Sequence, residues 1–286
     1  MAGHSNIPEL DKLFQEVSSY RSSKNYMELF DFIKRFKKIA PYNAMLIHMQ
    51  KPGSKYVASV QEWWKEFKRV PKPGARPLII LRTFGPVSFV YELEDTEGKE
   101  FPQELQNPFK PKGEISEAEF ASFVENLYFD GFRISYENYG TEYAGAVQTV
   151  NYREPYTDKN NTRYSFRIPF AITVNSNHDK VTQLATIYHE LGHVYCGHLG
   201  NQELDYLPKR YGLSHQVKEF EAESVCWLLC EREGIKNPSA EYLSNYVDRN
   251  NEIPLISIDT VFKAAAKIER LRNSALKAPR KELREE

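Results

Sequence analysis

Two histidines four residues apart, with a glutamate beside the first, are the residues of this chain best placed to do chemistry: His189-Glu190-Leu191-Gly192-His193. On an α-helix, residues i and i+4 share one face, so both imidazoles can reach a single ion. Glu190 projects beside that ion, where a carboxylate can act as general base. A catalytic zinc takes three protein ligands and leaves its fourth position to water, whose pKa it lowers towards neutrality. The third ligand has to come from another element. Glu219, Glu221 and Glu223 crowd one downstream segment. Glu219 and Glu223 share a helix face, whereas Glu221 lies about 200° round the axis from Glu219. Glu219 is therefore expected as the third ligand. Glu223 is expected to accept the second ring N–H of His189 and fix its tautomer. Glu221 reads as a solvated helix charge.

The chemistry implied is hydrolysis of a peptide or protein substrate. Glu190 takes a proton from water as it attacks the carbonyl, then delivers that proton to the leaving amine. An extended peptide needs main-chain pairing with an exposed edge strand, and Arg167–Val174, just before the metal helix, is the expected edge. Oxyanion stabilisation by a Tyr or His side chain leaves Tyr206, Tyr211 and His215 open, all in the connector between His193 and Glu219.

These side chains need elements to hold them. Val181, Leu184, Tyr188, Leu191 and Val194/Tyr195 form the apolar stripe of a helix, which Asn177 or Asp179 can cap. The Glu219/Glu223 face continues through Cys226 and Cys230, which places both thiols in the packed layer beneath the site. Cys196 also reads as core. His198 falls off the His189/His193 face and reads as a helix-end residue.

The run AITVNSNHDKVTQLATIYHELGHVYCGH with the later EFEAESVCWLL resembles the ImmA/IrrE-type metallopeptidases and the related C-terminal domain of ArdC-type antirestriction proteins. The resemblance covers roughly residues 115–275. It implies a zincin-like (gluzincin) domain with a small sheet, Zn2+ bound by His189, His193 and Glu219, and catalysis by Glu190.

Composition bounds the rest. At 286 residues the chain can hold two modest domains. No apolar run is long enough to cross a membrane, and no charged-then-apolar leader opens the sequence. Three cysteines do not make a disulfide framework. A cytoplasmic protein is the expectation. The net charge of −1 argues against a molecule drawn as a whole to nucleic acid. Its distribution is uneven, however: from Arg21 to Tyr91, 14 basic residues face 4 acidic ones, an excess of +10. Beyond Glu92 the sign reverses. Pro102, Pro108 and Pro111 mark the junction, giving an expected first domain over 1–105 and a second over 115–286.

In the first domain, helices are expected over Leu29–Ala40 (ending at Pro41), over Asn43–Gln50, and from a Ser59–Glu62 capping box. A basic turn, Lys68–Arg76, then leads to strands Leu78–Thr83 and Val87–Leu93. The second domain opens with another capping box, Ser116–Glu119. Strands Phe132–Tyr136, Ala144–Tyr152 and Tyr164–Val174 follow, then helices, including pieces near Ala240–Asn250 and Asp259–Lys277. The fold class expected is α+β.

The segment Pro41–Leu81 resembles the N-terminal domain of ArdC-type proteins, through Asn43, Gln50/Pro52, Trp63/Trp64 and Arg69-Val70. That resemblance implies single-stranded DNA binding. It departs at Pro73-Gly74, where the family usually has Lys-Gly, and in its lead-in. Physically, a single strand is held by a basic groove and aromatic faces, at roughly 1–3 kcal/mol per stacked base. Lys65, Lys68, Arg69, Lys72, Arg76 and Arg82 could supply the charge, and Trp63, Trp64, Tyr56 or Phe84 the stacking. Two functions compete: an ArdC-like antirestriction protein that protects mobile DNA, and an ImmA/IrrE-like regulatory peptidase that cleaves a repressor or other partner. A third, a non-enzymatic scaffold, has no need for Glu190 beside the metal.

Overall fold

A computed structural model of the chain describes residues 23–82, 85–102, 105, 114–138, 144–200, 204–235, 243 and 253–285. The chain divides into two compact units, Met1–Lys110 and Pro111–Glu286. Each combines helices with small sheets, the α+β class expected. Phe84, Pro108, Pro111 and the helix expected near Ala240–Asn250, apart from buried Leu243, lie outside the described residues.

In the first unit, α1 (Ser23–Ile33) and α2 (Pro41–Gln50) precede β1 (Val57–Ala58) and α3 (Val60–Phe67). A two-stranded ribbon joins β2 (Arg69–Pro71) to β5 (Thr96–Gly98), and β3 (Leu78–Arg82) and β4 (Gly85–Glu92) complete a sheet of order β1-β4-β3. Helix α1 stops at Ile33, earlier than the apolar spacing suggested, because the chain passes into i→i+3 turns at Arg35, Phe36 and Ile39. Pro41 opens α2, where its fixed φ and missing N–H cost nothing. The expected basic turn is partly strand: Lys68 closes α3 in the left-handed region, and Arg69–Pro71 then pairs with β5.

The Ser59–Glu62 capping box starts α3, with Ser59 N–H donating to Glu62 Oε2 at 2.8 Å and Glu62 N–H to Ser59 Oγ at 3.3 Å. The helix then drives Trp63 into a core with Ala58, Leu93 and Phe101, against which Tyr56 and Phe67 pack. On α2, Asn43 and Gln50 face the outer edge of β3. Gln50 exchanges two 2.8 Å hydrogen bonds with the backbone of Ile79. Asn43 does the same with Leu81, at 3.0 and 2.9 Å. A primary amide carries donor and acceptor together, so it can substitute for a strand residue.

The second unit opens with the Ser116–Glu119 capping box and α4 (Glu117–Phe129). Strands β6 (Phe132–Glu137), β7 (Gly145–Thr157) and β8 (Arg163–Asn175) form a sheet of order β6-β8-β7. Strand β8 is central: β6 lies parallel on one side, β7 antiparallel on the other, and β9 (Arg284–Glu285) pairs near its start. The expectation that Arg167–Val174 forms an exposed edge is therefore wrong. The near-continuous apolar run Phe166–Val174 is the mark of a strand flanked on both sides. Helices α5 (Lys180–Tyr195), α6 (His215–Glu233) and α7 (Ile258–Arg272) follow. Helix α6 packs against both α5 and α7, so most of its middle turns are buried.

Candidate metal centre

Asp179 caps α5, accepting the Thr182 N–H at 2.7 Å. From that start the helix presents His189 and His193 on one face. Gly192 lies between them at the crossing with α6: a Cβ there would fall 3.0 Å from Ala222 Cα and 3.2 Å from its carbonyl oxygen. A glycine facing an alanine lets the two helices approach closely enough for α6 side chains to reach the imidazoles.

Three donor groups converge. His189 Nε2 and His193 Nε2 are 3.1 Å apart, and Glu219 lies 3.6 Å from His189 Nε2 and 3.4 Å from His193 Nε2. Around a tetrahedral zinc with bonds near 2.0–2.1 Å, donor atoms sit about 3.3 Å from one another. The triangle fits such an ion without rearrangement. Glu223 Oε1 lies 3.5 Å from His189 Nδ1, on the side away from the triangle, while its other oxygen is buried without a partner.

The two imidazoles are perturbed in opposite directions. Burial pulls the His189 imidazole down, but hydrogen bonds to Glu219 and Glu223 outweigh it and hold the pKa well above the ordinary value. Burial, and then the neighbouring His189, press His193 down to about 3. Glu190 is buried, and burial raises its carboxyl despite the opposing pull of His189 and a hydrogen bond from the Val147 N–H. That bond sets Glu190 against β7, which pairs with β8 alone among the described strands.

Of the three residues left open for the oxyanion, His215 stands at the start of α6, with Nδ1 3.5 Å from Glu219 Oε1. Tyr206 is held elsewhere, its ring under Lys267 at 4.7 Å and Arg280 at 4.6 Å, and burial pushes its hydroxyl up to about 12. Tyr211 is exposed and packs over Gly200. A groove of about 820 Å³ between α4 and β6 shares no residue with the triangle. Cys196, Cys226 and Cys230 are buried thiols outside any disulfide, with Cys226 Sγ donating to Ala185 O at 3.2 Å.

Two readings from the sequence are corrected here. Glu221 is not a solvated charge: it is fully buried, gripped by Arg210 through two 2.6 Å bonds and by the Ser257 N–H at 2.7 Å. The helical wheel placed it opposite Glu219 correctly, but α7 covers that side. His198 is not a bland helix end. The helix stops at Tyr195 and Gly197, at φ +79°, turns the chain back, so His198 lies beneath His193 rather than off its face. A third histidine just past a helix-breaking glycine was the sequence signal for this contact.

In the first unit, two of the residues expected to touch DNA are engaged internally. Trp63 is 0% exposed, with its indole N–H donating to Tyr91 O at 2.9 Å, so it has no face for a base. Arg69 clamps β5, through Thr96 Oγ1 at 2.9 Å, Thr96 O at 2.7 Å and Lys99 O. Trp64 is 58% exposed, with Lys68 Nζ 5.4 Å above its ring. Lys68, Lys72, Arg76 and Arg82 are exposed, and Lys72 also donates to Glu94 O at 2.8 Å. The +10 excess is smaller in space than in sequence. Lys51 pairs with Asp95 at 2.8 Å and Glu92 at 3.3 Å, and Lys55 with Glu94 at 3.0 Å, all just beyond the window.

Among known proteins, residues 147–229 match the family model of the IrrE N-terminal-like domain, Peptidase_M78. No curated protein matches the chain. One solved structure similar to it is the Mn(II)-bound crystal structure of the antirestriction ArdC protein from plasmid R388. Its sequence is 14% identical, the match covers 82% of this chain and 84% of that one, and the TM-score is 0.35. Among the described residues, no helix is long and apolar enough to cross a membrane. Residues 147–229 of the second unit are thus similar to the IrrE N-terminal-like domain of the Peptidase_M78 family.

Proposed function

We propose that the second unit is a zinc-dependent metallopeptidase and that the first unit binds single-stranded DNA, together an ArdC-like antirestriction protein that protects mobile DNA. The observation that carries the enzymatic half is the triangle of His189, His193 and Glu219, with donor atoms 3.1–3.6 Å apart and Glu190 beside it. Those three residues would hold the ion. A bound zinc supplies a Lewis acid that acidifies water and polarises a carbonyl. Glu190 takes the proton from that water and returns it to the leaving amine, a transfer helped by a carboxyl whose pKa burial has raised. The open side of β7 holds an extended peptide by main-chain pairing. His215 is the side chain we assign to the oxyanion. Replacing Glu190 by alanine is expected to abolish peptide hydrolysis while zinc stays bound; hydrolysis surviving in that variant overturns the mechanism.

The DNA half is supported by a cleft of about 690 Å³ whose lining includes Arg35, Lys37, Lys38, Lys55 and Arg82, and by exposed Trp64 with Lys68 over it. A regulatory peptidase acting on a repressor-like protein is the second reading. It is favoured by the ion pairing of Lys51 and Lys55, and by Glu62 and Glu66 in the same cleft lining. Titrating a labelled single-stranded oligonucleotide at low and moderate salt, beside its duplex, separates the two. Strand-selective, salt-sensitive binding is expected. Absence of binding at low salt would make the cleft a protein-docking face.

A further inference from the structure

Beneath the metal triangle lies a second cluster, built around the buried His198 and Glu221 side chains, that the proposed hydrolysis does not use. His193 turns Nε2 towards His189 and Glu219, and its Nδ1 lies 3.0 Å from His198 Nδ1. The opposite nitrogen of His198, Nε2, is 2.8 Å from Glu221 Oε2. Glu221 in turn is fixed by both guanidinium nitrogens of Arg210 at 2.6 Å and by the backbone N–H of Ser257, the residue capping α7. Burial would raise its carboxyl, but His198, Arg210 and Ser257 together hold it below the ordinary range.

Donor and acceptor rules orient this chain of contacts. An ionised carboxylate only accepts, so His198 Nε2 carries the hydrogen that points at Glu221. With one proton already committed there, a neutral His198 offers a lone pair at Nδ1. The facing Nδ1 of His193 must then be the donor, because two lone pairs 3.0 Å apart would repel. A neutral imidazole has a single N–H. The Nε2 of His193 is thereby left as a lone pair, aimed into the triangle.

We propose that His198 and Glu221 are positioning residues: a Glu221–His198–His193 relay that fixes His193 in the Nδ1–H tautomer and its ring in the orientation that a metal ligand requires. The inference rests on the metal reading of His189, His193 and Glu219. It assigns the two ligating histidines different supports: a carboxylate, Glu223, behind His189, and a second imidazole behind His193. Metal-bound histidines usually give their other N–H to a carboxylate, a carbonyl or water. Here a neutral acceptor does that work and passes the orientation back to a carboxylate that already has its own cation.

The test uses the full chain. Nitrogen-15 correlation spectra of the metal-free wild-type protein should show the Nδ1–H tautomer at His193 and Nε2–H at His198. Zinc affinity, measured by competition with a chromophoric chelator, should fall about 10–100-fold in His198→Phe, the range for losing such a partner. The phenyl ring keeps the bulk and removes the acceptor. His198→Asn, whose side-chain oxygen can stand where Nδ1 stood, should recover part of that loss. Wild-type His193 in the Nε2–H form would overturn the relay whether or not zinc binds. So would His198→Phe binding zinc within twofold of wild type. A wild-type protein that binds no zinc yet shows the expected tautomers would sink the metal reading and leave the relay standing.

Discussion

Glu219 and Glu221 stand two residues apart on α6 and meet opposite fates. Glu221 is sealed at 0% side-chain exposure with Arg210 as its own counter-ion, and with further bonds from Ser257 and His198. Glu219 keeps 30% exposure, and the partners it has among the described residues are His189, His193 and His215. Glu223, one turn on, has His189 beside it. The lower cluster is finished electrostatically, while the upper one has carboxylates and imidazoles but, among the described residues, no permanent positive charge. Where the chain supplies an arginine, the carboxylate is structural. Where it supplies none, the geometry suits a divalent ion. The first unit repeats the lesson with Trp63 and Trp64, neighbours on α3 of which one is core and the other surface.

The largest effect expected from breaking this comparison follows from exchanging the fates of the two glutamates. Glu219→Ala should abolish metal binding, read by calorimetry, and change the stability of the metal-free fold by less than about 1 kcal/mol. Glu221→Ala strands Arg210 and should destabilise the fold by about 3–5 kcal/mol in denaturant titrations. Equal destabilisation by both would end the distinction. In the first unit, Trp63→Ala should cost about 3–5 kcal/mol by the same titration. Trp64→Ala should stay within about 0.5 kcal/mol and show its effect in oligonucleotide affinity instead. Gly192→Ala forces a methyl against Ala222, 3.0 Å from its Cα. It should cost about 1–3 kcal/mol and weaken zinc binding by spreading the triangle.

The smallest effect is a pH dependence. Burial is the main cause that lowers Lys267 to about 8, between the rings of Tyr195 and Tyr206 and near Arg280, with Asp130 opposing. Its folded pKa is below the unfolded one, so the unfolded chain binds the extra proton between about pH 8 and 10. Stability should therefore rise with pH across that window. Lys267→Met should remove the rise, seen as the difference between the two thermal-melting profiles.

Much of the candidate site's geometry is readable from the sequence because it obeys local periodicity. His189 and His193 four apart, Glu219 and Glu223 four apart, and the capping boxes at Ser59 and Ser116 all depend on spacing within one element. The misreadings each required knowledge of a second element. Glu221 looked solvated because nothing in its own helix announces that α7 covers its far side. His198 looked idle because a wheel continues where Gly197 stops the helix. The strand before the metal helix looked like an edge because β6 returns alongside it from earlier in the chain. Trp63 and Trp64 could not be told apart by composition, and only the position of Phe101 and Leu93 decides which one is enclosed.

The amides of Asn43 and Gln50 have a consequence beyond the fold of the first unit. A bare sheet edge invites the strand of another molecule, and proteins commonly discourage this with charge, proline or a bulge. Here β3 is already saturated by four side-chain hydrogen bonds from α2, so nothing remains for a foreign strand to pair with. Charge repulsion fades as ionic strength rises, but neutral amides do not. This edge should resist self-association in concentrated salt as well as in dilute buffer, although Ile79, Leu81, Val87 and Phe89 leave β3 and β4 with exposed apolar side chains.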